Sequence, residues 1–452
     1  MKFPPFALAA AVVAAAALPA RPQNCGNTSV GFTPLIDLGA GTYCPSGPCF
    51  EGGLYPGGSN ERPIAHEIGG LAQAKSVVPR NAAGAPDPSG RIVVMSLGMS
   101  NCVIHWNGFK QKSNADPLRN PRIFLFQGAQ GGIAAEDMDE AGEPYWTTIL
   151  PQKLQQAGVQ AAEVQVLWFL QANRQPSAPF PQHALTLKSQ MESILRIARS
   201  KLPNARIAYA ASRIYAGYAT TNLNPEPYAY EQAFAVKWMI EDQMGGDPAL
   251  NYDPSKGPVQ APWIAWGPYS WADGLIPRSD GLTWACSDFK ADGTHPSAQG
   301  ASKNADLLLG FFHADTTARP WYLAAPDPVI YGTGKTTSLG SLPAIGWGGT
   351  PSASSQDFEV TLAGALPGKI AIAFHGPAPA NLPFFGGTLY VGPPQDRLPP
   401  KPIGPAGSVS FPIPVAPWMA GLSDHFQVWF RDPAHPDGTA VGLSNALQVR
   451  WR

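Results

Sequence analysis

Residues 91–101 read R-I-V-V-M-S-L-G-M-S-N, and their pattern decides how the rest of the chain is read. Ile92, Val93, Val94 and Met95 form an unbroken apolar run, the pattern of a strand whose sheet is covered on both faces. Gly98 ends it, since a glycine lets the backbone turn sharply at a strand's carboxyl end. Ser100 is then presented on the rim where open parallel sheets hold their ligands, which makes it the candidate nucleophile.

A serine hydroxyl attacks poorly unless a base stands within hydrogen-bond reach, a third group orients that base, and donors await the oxyanion. Asp292-Gly293-Thr294-His295-Pro296-Ser297 carries an acid and an imidazole three residues apart on a tight turn. Two further apolar runs end in small or polar residues. Ile123-Phe124-Leu125-Phe126 leads to Gln127-Gly128-Ala129-Gln130-Gly131-Gly132, where glycines can bring a backbone N–H toward negative charge. Val164 to Leu170 leads to Gln171-Ala172-Asn173, whose side-chain amide is a donor.

These blocks resemble the SGNH (GDSL-like) hydrolase superfamily, which carries a serine, a glycine, an asparagine and a histidine on four separated segments. Ser100 matches the first, Gly132 the second, Asn173 the third, and Asp292 with His295 the fourth; Gly131 competes with Gly132. The blocks lie in the family's order over residues 91 to about 312, roughly half of the chain. Gly98-Met99-Ser100 stands where the family usually has G-D-S, and Gln171-Ala172-Asn173-Arg174 stands for G-x-N-D, a divergent G-M-S-N subgroup. The resemblance implies a catalytic triad of Ser100, Asp292 and His295. It also implies an oxyanion hole from Ser100, Gly132 and Asn173, no cofactor, and an ester substrate; no C-x-x-C or H-x-x-x-H spacing offers a metal site, and export suggests the acetyl groups of a carbohydrate. The rival readings are a lipase or esterase for longer acyl esters and a non-catalytic exported binding protein on the same fold.

The chain has 452 residues, more than one core usually sustains, so two domains are expected. Strands alternating with helices predict a three-layer α/β/α domain on a parallel, flavodoxin-like sheet at 91–320. An irregular lead-in at 21–90 precedes it and a Pro/Gly-bearing linker at 321–344 follows. Short alternating runs between 345 and 452 predict an antiparallel β-sandwich. Residues 1–20, Met1-Lys2 followed by an alanine-rich apolar stretch, read as a signal peptide too short to span a bilayer, so a secreted or periplasmic protein with no integral membrane segment is expected. Net charge is −1 and only 14% of residues are charged, which gives no basic patch for nucleic acid.

Five cysteines in an oxidising compartment should leave one unpaired. With the blocks converged, Cys102 and Cys286 become the expected disulfide, tying the nucleophile's turn to the acid–base loop. Ile207-Ala208-Tyr209-Ala210-Ala211-Ser212 reads as a fourth strand, and Arg213 after it is a candidate for binding a substrate carboxylate or sugar hydroxyls, or else for a salt bridge with Glu226 or another acid. The aromatic segment before the acid–base loop, Trp271 and Trp284 included, is the expected substrate wall. Arg62 and His66 are expected to be structural.

Overall fold

The computed structural model describes residues 23–87, 89–324, 328–353 and 355–451; the expected signal peptide lies outside them. Five parallel strands form the central sheet: Ile92–Gly98, Ile123–Gln127, Val164–Leu170, Ile207–Ala210 and Trp263–Trp266. Counted along the chain, their spatial order is 2-1-3-4-5. The order reverses between Ile92–Gly98 and Val164–Leu170, and a crevice therefore opens beyond the carboxyl ends of those two strands.

Alternate residues of each strand feed two separate cores, because successive side chains leave opposite faces of a sheet. Val93, Met95, Leu97, Leu167 and Phe169 meet helices Gln182–Lys201 and Tyr228–Met244. Val94, Val166, Trp168 and Leu170 meet Ser100–Asn114 and Ala298–Ala314 on the other side. Among the described residues no helix is long and apolar enough to cross a membrane.

Two helices depart from the sequence expectation. Residues after Ser100, which carry no continuous apolar stripe in the sequence, form the helix Ser100–Asn114, whose inner face combines Cys102, Trp106 and Phe109 with the buried polar residues Asn101, His105 and Ser113. Within the expected irregular lead-in, Ile64–Lys75 is helical, with Ile64 and Ile68 exposed and His66, Gly70 and Ala74 inward. Its buried face is small because it lies against an indole: a Cβ on Gly70 would come within 2.4 Å of Trp263. Neither face shows the apolar periodicity by which helices are recognised.

Beyond the parallel sheet the strands are antiparallel. Ser423–Arg431 pairs with both Ile370–Gly376 and Val441–Arg450 in a six-stranded sheet, and Glu359–Ala363 lies between Ala344–Gly348 and Val409–Pro412 in a three-stranded one. Their inner faces share a core of Val360, Leu362, Phe411, Phe426, Val428, Phe430 and Leu447. Val329–Tyr331, inside the expected linker, adds an edge strand alongside Ala446, Leu447 and Gln448.

Candidate active site

Gly98 has φ +148°, and a Cβ there would lie 1.9 Å from the carbonyl oxygen of Leu170 on the neighbouring strand. The close approach requires glycine, and it turns the chain so that Met99 is extended and Ser100 opens a helix. Ser100 thus stands at a helix N-terminus, where the backbone dipoles favour negative charge.

The acid–base loop is equally constrained. Gly293 has φ +64°, and a Cβ there would approach the Tyr218 carbonyl to 2.1 Å. The Lys290 N–H donates to the His295 carbonyl at 2.8 Å, closing the turn. Asp292 Oδ1 accepts the backbone N–H groups of Thr294 and His295 at 2.9 Å each, and Oδ2 lies 2.7 Å from His295 Nδ1. Burial pulls the Asp292 carboxyl upward, but the backbone and ring N–H groups of His295 and the Thr294 N–H outweigh it and hold the group below the usual carboxylate range. An ionised carboxylate only accepts, so in the neutral imidazole the proton sits on Nδ1 and Nε2 is the acceptor. Ser100 Oγ lies 2.8 Å from that Nε2.

A cavity of about 170 Å³ opens beside Ser100, bordered by Gly132, Asn173, Arg174, Asn224, Thr294 and His295 among others. The backbone N–H groups of Ser100 and Gly132 make no hydrogen bond to any described residue. Gly131 also comes close, since a Cβ on it would be 4.0 Å from the Ser100 Cβ. Asn173 reaches the cavity, but its side-chain amide donates to Glu136 Oε2 at 3.0 Å and Gln190 Oε1 at 2.6 Å. Glu136 also accepts the Arg174 N–H at 3.0 Å, and the Arg174 guanidinium pairs with Asp137 and donates to the Gly132 carbonyl at 2.9 Å. Glu136, Asp137, Gln190 and Asn224 were not legible as site residues, because what draws them in is contact between distant loops. Arg174, next to Asn173 in sequence, carried the one available signal.

Arg213 lines the same cavity as a buried residue. It is 2% exposed and donates from Nη1 to Asn224 Oδ1 at 2.9 Å, while Nε and Nη2 have no partner among the described residues. Of the two alternatives open from sequence, the salt bridge with Glu226 or another acid is not formed among the described residues. Burial pulls the guanidinium down to about 10, with the Glu226 charge acting the other way. Beneath Ser100 the His105 ring is also fully buried and without partners, and burial, reinforced by the Arg213 charge, depresses it to about 3.

Two expectations are corrected. Trp271 and Trp284 do not wall the cavity: both are wholly buried, with Nε1 donating to Glu226 Oε1 and to the Ser270 carbonyl, at 2.8 Å each. Their indoles fill the core under the loop, where their large apolar area contributes most. Cys286 is bonded to Cys25, not to Cys102; a second disulfide joins Cys44 and Cys49, and Cys102 is a buried free thiol pushed up by burial. Cys102 points into the apolar layer between helix and sheet, away from the loop. Arg62 pairs with Glu67 and Asp315, and His66 Nε2 lies 2.7 Å from the Ile264 carbonyl. Among the described residues no group of three or more His, Cys, Asp or Glu is arranged to hold a metal ion.

No family model matches the chain, and no curated protein matches it in sequence. Solved structures similar to part of it include the following two. The periplasmic domain of a lipopolysaccharide acetyltransferase from Salmonella serovar Paratyphi A is 12% identical with a TM-score of 0.29, the match covering 55% of this chain and 94% of that one. The protein YxiM from Bacillus subtilis is 14% identical with a TM-score of 0.28, over 50% of this chain and 58% of that one. At such identity and TM-score neither likeness bears on activity or substrate.

Proposed function

We propose that this protein is an exported serine ester hydrolase that removes short acyl groups, acetyl above all, from carbohydrates or related small esters through an acyl-enzyme. The observation that carries the reading is the hydrogen-bonded line from Asp292 through His295 to Ser100 at the mouth of a small cavity. His295 Nε2 takes the Ser100 proton as Oγ attacks the ester carbonyl, and Asp292 stabilises the resulting imidazolium. The unengaged N–H groups of Ser100 and Gly132 receive the oxyanion, strengthened by the helix N-terminus. Asn173 joins them once its amide turns away from Glu136 and Gln190. The alcohol departs with the proton from His295, and water activated by the same ring hydrolyses the acyl-serine.

A cavity of about 170 Å³ is smaller than those that enclose drug-sized ligands, which supports a short acyl group over a fatty chain. The disulfides are compatible with an exported protein, where thiols oxidise and glycan esters are met. A chain-length series of nitrophenyl esters tests the reading: turnover should be greatest for acetate and fall steadily beyond butyrate. A fluorophosphonate that fails to label Ser100 in the folded protein would overturn it.

A further inference from the structure

A second cleft, of about 240 Å³, lies on the six-stranded antiparallel sheet. Residues of Ile370–Gly376 and Ser423–Arg431 alternate between faces: Ala371, Ala373, Val428 and Phe430 turn into the core, while Ile372, Phe374 and Trp429 turn outward, with Ile372 directly opposite Trp429. A hairpin, Pro379–Phe384 with Gly387–Val391, lies over this outer face. Gln427 pins it there, its Nε2 donating to the Thr388 carbonyl at 2.9 Å and its Oε1 accepting the Tyr390 N–H at 3.0 Å. The cleft is the space left between hairpin and sheet.

What borders it is unusual for a purely structural gap. Phe385 is 50% exposed and has φ +46°, a conformation disfavoured for a bulky residue, and its ring stands edge-on to Phe384 at 4.6 Å. An apolar ring is thus held exposed at the rim, on the two-residue Phe385-Gly386 turn of the hairpin, where both residues have positive φ. Opposite it, Arg397 pairs with Phe374 through the backbone, while its guanidinium makes no hydrogen bond or ion pair among the described residues. Arg431 lies over the Trp429 ring at 5.8 Å. Gln395 spends its amide N–H on the Val391 carbonyl at 2.6 Å, leaving its oxygen as an acceptor. Among the described residues no carboxylate borders the cleft.

We propose that this cleft binds an acidic sugar residue of a glycan, Trp429 and Phe385 stacking on its ring and Arg397 taking its carboxylate. Aromatic faces receive the C–H faces of a pyranose, and a guanidinium fork matches a carboxylate in a two-point hydrogen bond. An acyl chain would make no use of that exposed, unpaired guanidinium. An added peptide strand needs an open sheet edge, whereas this cleft lies on a face roofed by its hairpin. The site is separate from Ser100 and does not depend on the esterase reading.

Affinity electrophoresis and calorimetry of the full chain with non-esterified polygalacturonate, alginate and neutral galactan test it, with free galacturonate separating monomer from polymer recognition. Acidic polymers should retard the protein and neutral galactan should do so less. F385A and W429A should weaken retention about tenfold, and R397Q should erase the preference for acidic over neutral polymer. F385A and R397Q alter exposed rim residues, so they report even if W429A unfolds. Hydrolysis of a soluble nitrophenyl ester should be unchanged in the rim variants. Equal retention by acidic and neutral polymers, wild-type retention in the rim variants, or binding only to lipid vesicles would each overturn the proposal.

Discussion

His295 Nε2 lies 2.8 Å from Ser100 Oγ, although 195 residues of chain separate them. Proton transfer between these atoms needs no rearrangement, so the pair should act as a unit. Ser100→Ala and His295→Ala should each abolish ester turnover, and the double variant should lose no more than either alone. Thermal midpoints should stay close to that of the wild type, because the Ser100 hydroxyl and the ring edge contribute little packing. An active S100A protein would remove the nucleophile assignment.

Asn173 is tied to Glu136 and Gln190, yet it borders the cavity. If it turns to the oxyanion during the reaction, Asn173→Ala should lower kcat on the order of a hundredfold at nearly constant KM. A rise in KM alone would instead assign the side chain to holding the loop of Glu136.

Gly98 has no room for a side chain, and the obstruction is backbone rather than a side chain that could swing aside. Gly98→Ala should destabilise the fold by roughly 2–4 kcal/mol, combining strain at positive φ with overpacking. Chemical denaturation would measure this, and activity should fall with it because Ser100 is displaced.

Cys25 and Cys286 close a sequence separation of 261, so their bond restricts more than half of the unfolded chain. On the loop-entropy model its loss costs about 5.6 kcal/mol, and Cys25→Ser should lower the melting temperature markedly. Cys102→Ser should have a far smaller effect. Alkylation of the native protein should leave Cys102 unmodified until unfolding, as peptide mass spectrometry would show.

His105 is neutral when folded, its ring depressed to about 3 by burial and the Arg213 charge. Unfolded, it binds a proton near its ordinary 6.5, so below that pH the unfolded state takes up protons that the native state refuses. Stability from this group is therefore full above about 6.5 and is lost as pH falls toward 3. Melting curves across this range should show a shallower acid decline for His105→Leu than for the wild type.

The strands were the most legible part of the fold. Val164–Leu170, for instance, is apolar along nearly its whole length because both of its faces are covered, and that pattern survives without knowledge of its neighbours. Helices Ser100–Asn114 and Ile64–Lys75 were not legible. Their buried faces contain His105, Asn101, His66 and Gly70, and what makes those residues inward-facing is an indole or a loop from elsewhere in the chain. The acid–base turn could be read locally, since Asp292 and His295 are bonded to each other within four residues.

Local chemistry in the sequence by itself determined the apolar strands, the glycine-broken turn before Ser100 and the self-contained Asp292–His295 pair, because each depends on residues only a few positions apart. Tertiary structure alone decided the partner of Cys286, the burial of Trp271 and Trp284, the engagement of Asn173 by Glu136, and the meeting of outward rings with Arg397 on the second sheet. Those outcomes depend on which distant segments come within a few ångströms, and contacts of that kind leave no periodicity in the chain.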